Sequence, residues 1–102
     1  MNKQALQTYL SENSSVLTTF WDKGWDYQNM KNQKRQPAKR WNETKVDRAV
    51  DKMVKEFIEN IYQKIAFNIK GELDSENTWL QFIEQNEVIA GLEEAVNELE
   101  FE

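Results

Sequence analysis

Apolar residues recur along most of this chain at steps of three and four, the spacing that stacks side chains on one face of a helix. Residues 2 to 11 place Ala5, Leu6, Tyr9 and Leu10 together, which predicts a short first helix. Ser11 to Ser15 is polar and rich in cap formers, and Ser14 or Ser15 can accept from the free amides that open the next helix. The second helix carries Val16, Leu17, Phe20, Trp21 and Trp25. Gly24 lies inside it at a cost of about 1 kcal/mol relative to alanine, and close approach of another backbone is the expected compensation. From Asn29 to Lys39 the apolar period disappears, and Pro37 disfavours helical geometry at Gln36, so a linker is expected over about 29–43.

Thr44, with Asp47 three residues on, resembles a capping box and opens a long helix expected over about 45–70. Val46, Val50, Met53, Phe57, Ile61, Ile65 and Ile69 mark its apolar face, and Gly71 stands where a left-handed cap belongs. A competing period runs through its end, where Ile65, Phe67, Ile69 and Leu73 alternate with Ala66, Asn68, Lys70 and Glu72. A short strand over 65–73 is the alternative there, but no second run of period two offers it a partner. Asp74 or Ser75 can cap a fourth helix bearing Trp79, Leu80, Phe82 and Ile83. Asn86 can cap a fifth, over about 87–100, where Val88, Leu92, Ala95, Val96 and Leu99 form a narrow stripe. The expected fold is all-α: one compact bundle of four to five helices around the long one, with Trp21, Trp25, Phe57, Ile61, Ile65, Trp79 and Leu80 in the core.

Composition narrows the chemistry. The 102 residues include no cysteine and no histidine, which removes disulfides, thiolate nucleophiles, imidazole bases and nearly every transition-metal site. Glycines stand only at 24, 71 and 91, so no glycine-rich phosphate loop can form. Glu72, Asp74, Glu76 and Glu84 lack the central glycine of a helical calcium loop and read as a helix start plus surface. No catalytic residue, metal or cofactor is therefore expected, and the protein is read as a non-enzyme. The apolar runs are far shorter than the roughly 20 residues that span a bilayer, and the first thirty residues hold no signal-like apolar block. A cytoplasmic protein without a membrane partner is the expectation.

Charge changes the picture most. Residues 29 to 48 hold seven bases (Lys31, Lys34, Arg35, Lys39, Arg40, Lys45, Arg48) against Glu43 and Asp47, a local charge of +5. Residues 71 to 102 hold ten acids and no base, within a chain whose net charge is -5. A solvated helix ordinarily mixes signs to gain pairs four residues apart, and the acidic end has none. Self-neutralisation by the basic linker is the bland account of both blocks. The functional account of the acids is a fixed carboxylate array that steers a cationic protein onto its surface. Its candidate contacts are Glu87, Glu93, Glu94, Glu98 and Glu100, with Trp41 as an exposed aromatic anchor.

In size, charge and lack of catalytic equipment the chain looks like the small acidic immunity proteins and phage-encoded inhibitors that block nucleases by charge mimicry. That resemblance implies a partner that is a nuclease toxin or nucleic-acid enzyme, and it assigns no residues. An alternative is nucleic-acid binding through Lys34, Arg35, Lys39 and Arg40, with the net charge arguing against it. A third reading is a structural or secretion-associated protein that pairs through the stripe of Val88, Leu92, Val96 and Leu99. Length and helical content are also similar to those of the secreted helical hairpins named for a tryptophan-x-glycine turn. Trp21 and Gly24, however, are separated by two residues inside a helix.

Overall fold

The structure, a computed structural model, describes residues 1–101. Five helices follow in order among them: α1 (Lys3–Asn13), α2 (Val16–Gln33), α3 (Glu43–Asn68), α4 (Glu76–Gln85) and α5 (Val88–Glu98). A single 3-10 turn, Pro37–Lys39, lies between α2 and α3. No strand occurs among the described residues, so the period-two reading of 65–73 is corrected: the helical period wins through Asn68 because no neighbouring strand exists to take the backbone bonds. At 26 residues α3 is about 39 Å long and is the axis of the bundle.

The caps follow local chemistry. Asn2 Oδ1 accepts from the Ala5 amide, Asn42 Oδ1 from the Lys45 amide and Ser75 Oγ from the Thr78 amide. Asn42 thus displaces the expected Thr44 box, starting α3 at Glu43, and Asp47 instead accepts the Trp25 indole N–H at 3.0 Å. Ser15 occupies the cap position of α2 without a side-chain bond, while Ser14 Oγ donates to the Leu10 carbonyl and accepts from the Val16 amide. Gly71 does not take the left-handed form, since α3 ends on extended Ile69. Asn86 closes α4 rather than opening α5.

The main core joins Leu6 and Leu10 of α1, Val16, Leu17 and Phe20 of α2, and Val54, Ile58, Ile61 and Ile65 of α3 to Trp79, Ile83 and Val96. Trp79 is fully buried, stacks on Tyr62 at 4.8 Å and donates its indole N–H to the Leu73 carbonyl at 2.8 Å. Ile61, Ile65 and Trp79 are core as expected, whereas Trp21, Trp25, Phe57 and Leu80 are only half-buried. In a molecule this narrow, each of those large side chains keeps one edge in water.

Past Phe20 and Met53 the two longest helices continue as an arm. Gly24 is buried there, and a Cβ on it would sit 3.4 Å from Val50 Cγ1, so the glycine lets α3 close on α2 through side chains. Helix α2 runs on to Gln33, five residues into the expected linker. The radius of gyration, 16.0 Å, exceeds the roughly 13 Å of a compact chain this long. The principal extents of 53 × 24 × 22 Å describe a rod.

Candidate functional site

Helix α5 breaks two local rules. Glu94 and Glu98 stand four residues apart with like charge, and Glu98 occupies the last turn, where the negative end of the helix dipole favours a base and none is present. Each violation costs a few tenths of a kcal/mol or more. The fold supplies the missing cation from another helix: Lys23 of α2 donates to the carbonyls of Asn97 at 2.6 Å and Leu99 at 3.0 Å. The helix end is thereby satisfied, while neither carboxylate takes part in an ion pair among the described residues.

Glu87, Glu94 and Glu98 fall on one outward face of α5, with Ala90, Gly91 and Ala95 also exposed on it. Along the axis the three carboxylates are spaced by about 10 Å and 6 Å. Small residues between them leave the face low, and a Cβ at Gly91 would meet nothing within 4 Å. Glu87 also carries backbone strain, with φ at 50° and no side-chain cap bond, the one non-glycine residue with positive φ among those described. Glu87 follows the Asn86 cap of α4, the position at which a helix commonly ends on a left-handed residue, and its amide donates to the Glu84 carbonyl at 3.3 Å.

The other expected contacts are distributed differently. Glu93 lies on the flank of α5 and is half-buried. Glu100 follows the helix, in a shallow depression beside Tyr27 and Met30 of α2. The stripe expected to pair with another chain is used inside the fold: Val96 is buried and Val88, Leu92 and Leu99 are half-buried. Among the described residues the ion pairs are Lys3–Glu59, which bridges α1 to α3, and Lys55–Asp51. The Lys3 ammonium holds the Glu59 carboxyl below the usual carboxylate range. Neither pair involves the acids of 71–101 or the bases of 29–48.

Trp41 does not join the acids. It sits at the tip of the arm, half-buried, with the Arg35 guanidinium 3.9 Å from its ring centroid. Its backbone is held by Asn32, which is 8% exposed: Oδ1 accepts from the Trp41 amide at 2.7 Å and Nδ2 donates to the Trp41 carbonyl at 2.9 Å. The same Oδ1 accepts from Arg35 Nη1 at 3.1 Å. Arg40 donates to the carbonyls of Arg35 and Gln33. Arg35 and Arg40, two of the four residues first suspected of holding nucleic acid, therefore build the turn, while Lys34 and Lys39 project from it.

Sequence reasoning missed Lys23 and Asn32. Lys23 could not be found, because its acceptors lie 74 and 76 residues away. Asn32 had a signal, since it continues the buried face of α2 after Phe20 and Gly24 at steps of four, but a polar residue is invisible to a search for apolar period.

Comparison with protein families, with curated proteins and with solved structures finds no match for this chain. Among the described residues no group of three or more acidic side chains could hold a metal ion. No described helix is long and apolar enough to cross a membrane.

Proposed function

We propose that this is a non-catalytic binding protein that docks the outward face of α5 on a basic protein and neutralises it, with a nuclease toxin or nucleic-acid enzyme as the partner class. The observation that carries the reading is the row Glu87, Glu94 and Glu98, exposed and without an ion pair among the described residues, with Glu94 and Glu98 kept four apart although like charges at that spacing cost stability. A helix selected only for solubility would place bases four residues from these acids and gain stability from them. A groove that normally receives a polyanion carries fixed positive charge, and a rigid row of carboxylates meets it without the entropy cost of ordering a loop. A cytoplasmic setting fits a partner that acts on nucleic acid.

The test is charge reversal. Glu87→Lys, Glu94→Lys and Glu98→Lys together should leave helical content nearly unchanged, because exposed charges contribute little to stability. Basic proteins captured from lysate of the source cells by the wild type are then measured against the variant for on-rate at two salt concentrations. Each close charge pair at such an interface can couple by about 1.5 to 7 kcal/mol, so the on-rate should fall and lose its salt dependence. An affinity indifferent to both salt and reversal would exclude the carboxylate row. A larger loss from Leu92→Ala than from the reversal would favour apolar pairing.

A further inference from the structure

The arm gathers the bases at the end of the rod opposite the main core, on a surface with features of its own. Lys45, Arg48 and Lys52 follow at three and four residues and share the outward face of α3, all exposed. With Ala49 and the part of the Trp41 indole that Arg35 leaves uncovered, they line one shallow, mostly apolar depression. None of these three side chains takes part in an ion pair or hydrogen bond among the described residues. The next position on this face is Glu56, so the cationic surface ends at Lys52.

We infer that this surface binds single-stranded nucleic acid, with Trp41 stacking on a base and Lys45, Arg48 and Lys52 on successive phosphates. Three properties point there. An aromatic ring beside a cationic track is the arrangement by which sequence-tolerant single-strand binders work, since every base has a face to stack and every nucleotide a phosphate. The ring is pre-positioned: Asn32 holds the Trp41 backbone on both its N–H and its C=O, and Arg35 backs the indole, so little ordering is lost on binding. The three bases span about 10 Å of helix, a reach of two to three nucleotides.

The net charge of -5 does not govern this end of the molecule. Along α3, Lys45 lies about 18 Å, Arg48 about 14 Å and Lys52 about 8 Å from Phe57, the nearest α3 residue to line the groove shared with α5. Lys45 and Arg48 thus lie beyond the Debye length of about 10 Å at 0.1 M salt, and Lys52 lies just within it. The acids closer by are Glu43 and Asp47 on other faces of α3, the latter engaged with Trp25, Asp51, which pairs with Lys55, Glu56 at the end of the track, and Glu100 beside Met30. None of the carboxylates of the α5 row lines this depression.

A fluorescein-labelled 12-nucleotide oligothymidylate titrated into the intact protein, read by anisotropy and by tryptophan quenching, tests the inference. Binding should weaken about 18-fold between 50 and 200 mM salt, the dependence expected for three phosphate contacts on a single strand. Trp41→Ala should weaken it by about five- to hundredfold and abolish most of the quenching, with Trp41→Phe keeping most of the affinity. Lys45→Gln, Arg48→Gln and Lys52→Gln together, on exposed positions that leave the fold intact, should remove the salt dependence. Reversal of Glu87, Glu94 and Glu98 should leave binding in place, which separates the outcome from that of the proposed protein partner. No binding at 50 mM salt, or binding unaffected by both the Trp41 and the triple-glutamine variants, would overturn the inference. So would equal binding of polyglutamate, which would mark a surface for acidic polypeptides.

Discussion

Replacing Asn32 with alanine removes the one buried polar side chain among the described residues, and its cost can be worked from the geometry. The side chain makes two bonds to the Trp41 backbone, at 2.7 and 2.9 Å, and accepts a third from Arg35. Each backbone bond contributes about 0.5–1.5 kcal/mol net, and a buried group left without its partner costs about 1–3 kcal/mol. Trp41 is half-buried, so water can reach part of what is exposed by the change, and we expect a loss of about 2 kcal/mol. For a domain near this size that corresponds to roughly 10 °C in Tm. Urea denaturation followed by far-ultraviolet circular dichroism gives the value. Asn32→Asp is the sharper probe: it keeps the acceptor for the Trp41 amide and Arg35 but points a carboxylate at the Trp41 carbonyl in place of a donor. It should be at least as destabilising at neutral pH, despite the nearby guanidinium. A loss below about 0.5 kcal/mol for Asn32→Ala would mean that the turn holds its shape without the amide.

Three further outcomes follow from the same contacts. Glu87→Gly should stabilise the protein by about 0.5–1 kcal/mol in a denaturant melt, since relief of the left-handed backbone, about 1–2 kcal/mol, outweighs the added entropy of the unfolded chain; a loss of stability would mean that the Glu87 side chain helps hold α5. Trp79→Ala should cost about 3–5 kcal/mol, and Trp79→Phe about 1–2 kcal/mol, because Leu73 keeps only the bond from the N-terminal amine; the two melts measure this directly. Lys3→Met should raise the Glu59 carboxyl toward its ordinary value of 4.5, with the Gln63 amide still donating to it, read from the carboxyl carbon shift in an NMR titration. Glu59 is depressed in the fold, so the stabilisation it brings is present above that value, is lost as pH falls through the folded one, and shrinks in the variant.

The helices were legible wherever apolar period and cap chemistry agreed. Ile61, Ile65 and Trp79 are buried where the spacing put them, and Ser75 caps α4 as its position before an apolar run suggested. Period reports the side a residue faces and not how deep it lies, so Trp21, Trp25, Phe57 and Leu80 were expected in the core and are half-buried. Where candidate caps crowd together, as at Asn42 and Thr44, only the observed bond to the Lys45 amide decides the start of the helix.

That the protein is helical and electrically bipolar can be read from the chain alone, because helical period and charge are local quantities that sum along it. The tertiary structure decided what each charge faces. Closing α2 onto α3 at Gly24 carries the bases out to the tip of an arm, and docking α5 on α2 leaves three carboxylates outward while Lys23 satisfies the helix end. Lys23 and its acceptors are more than seventy residues apart. Asn32 and Trp41 are joined across a turn whose helical approach carries no apolar signal. Contacts of that kind are set by the packing of whole elements, which no local pattern encodes.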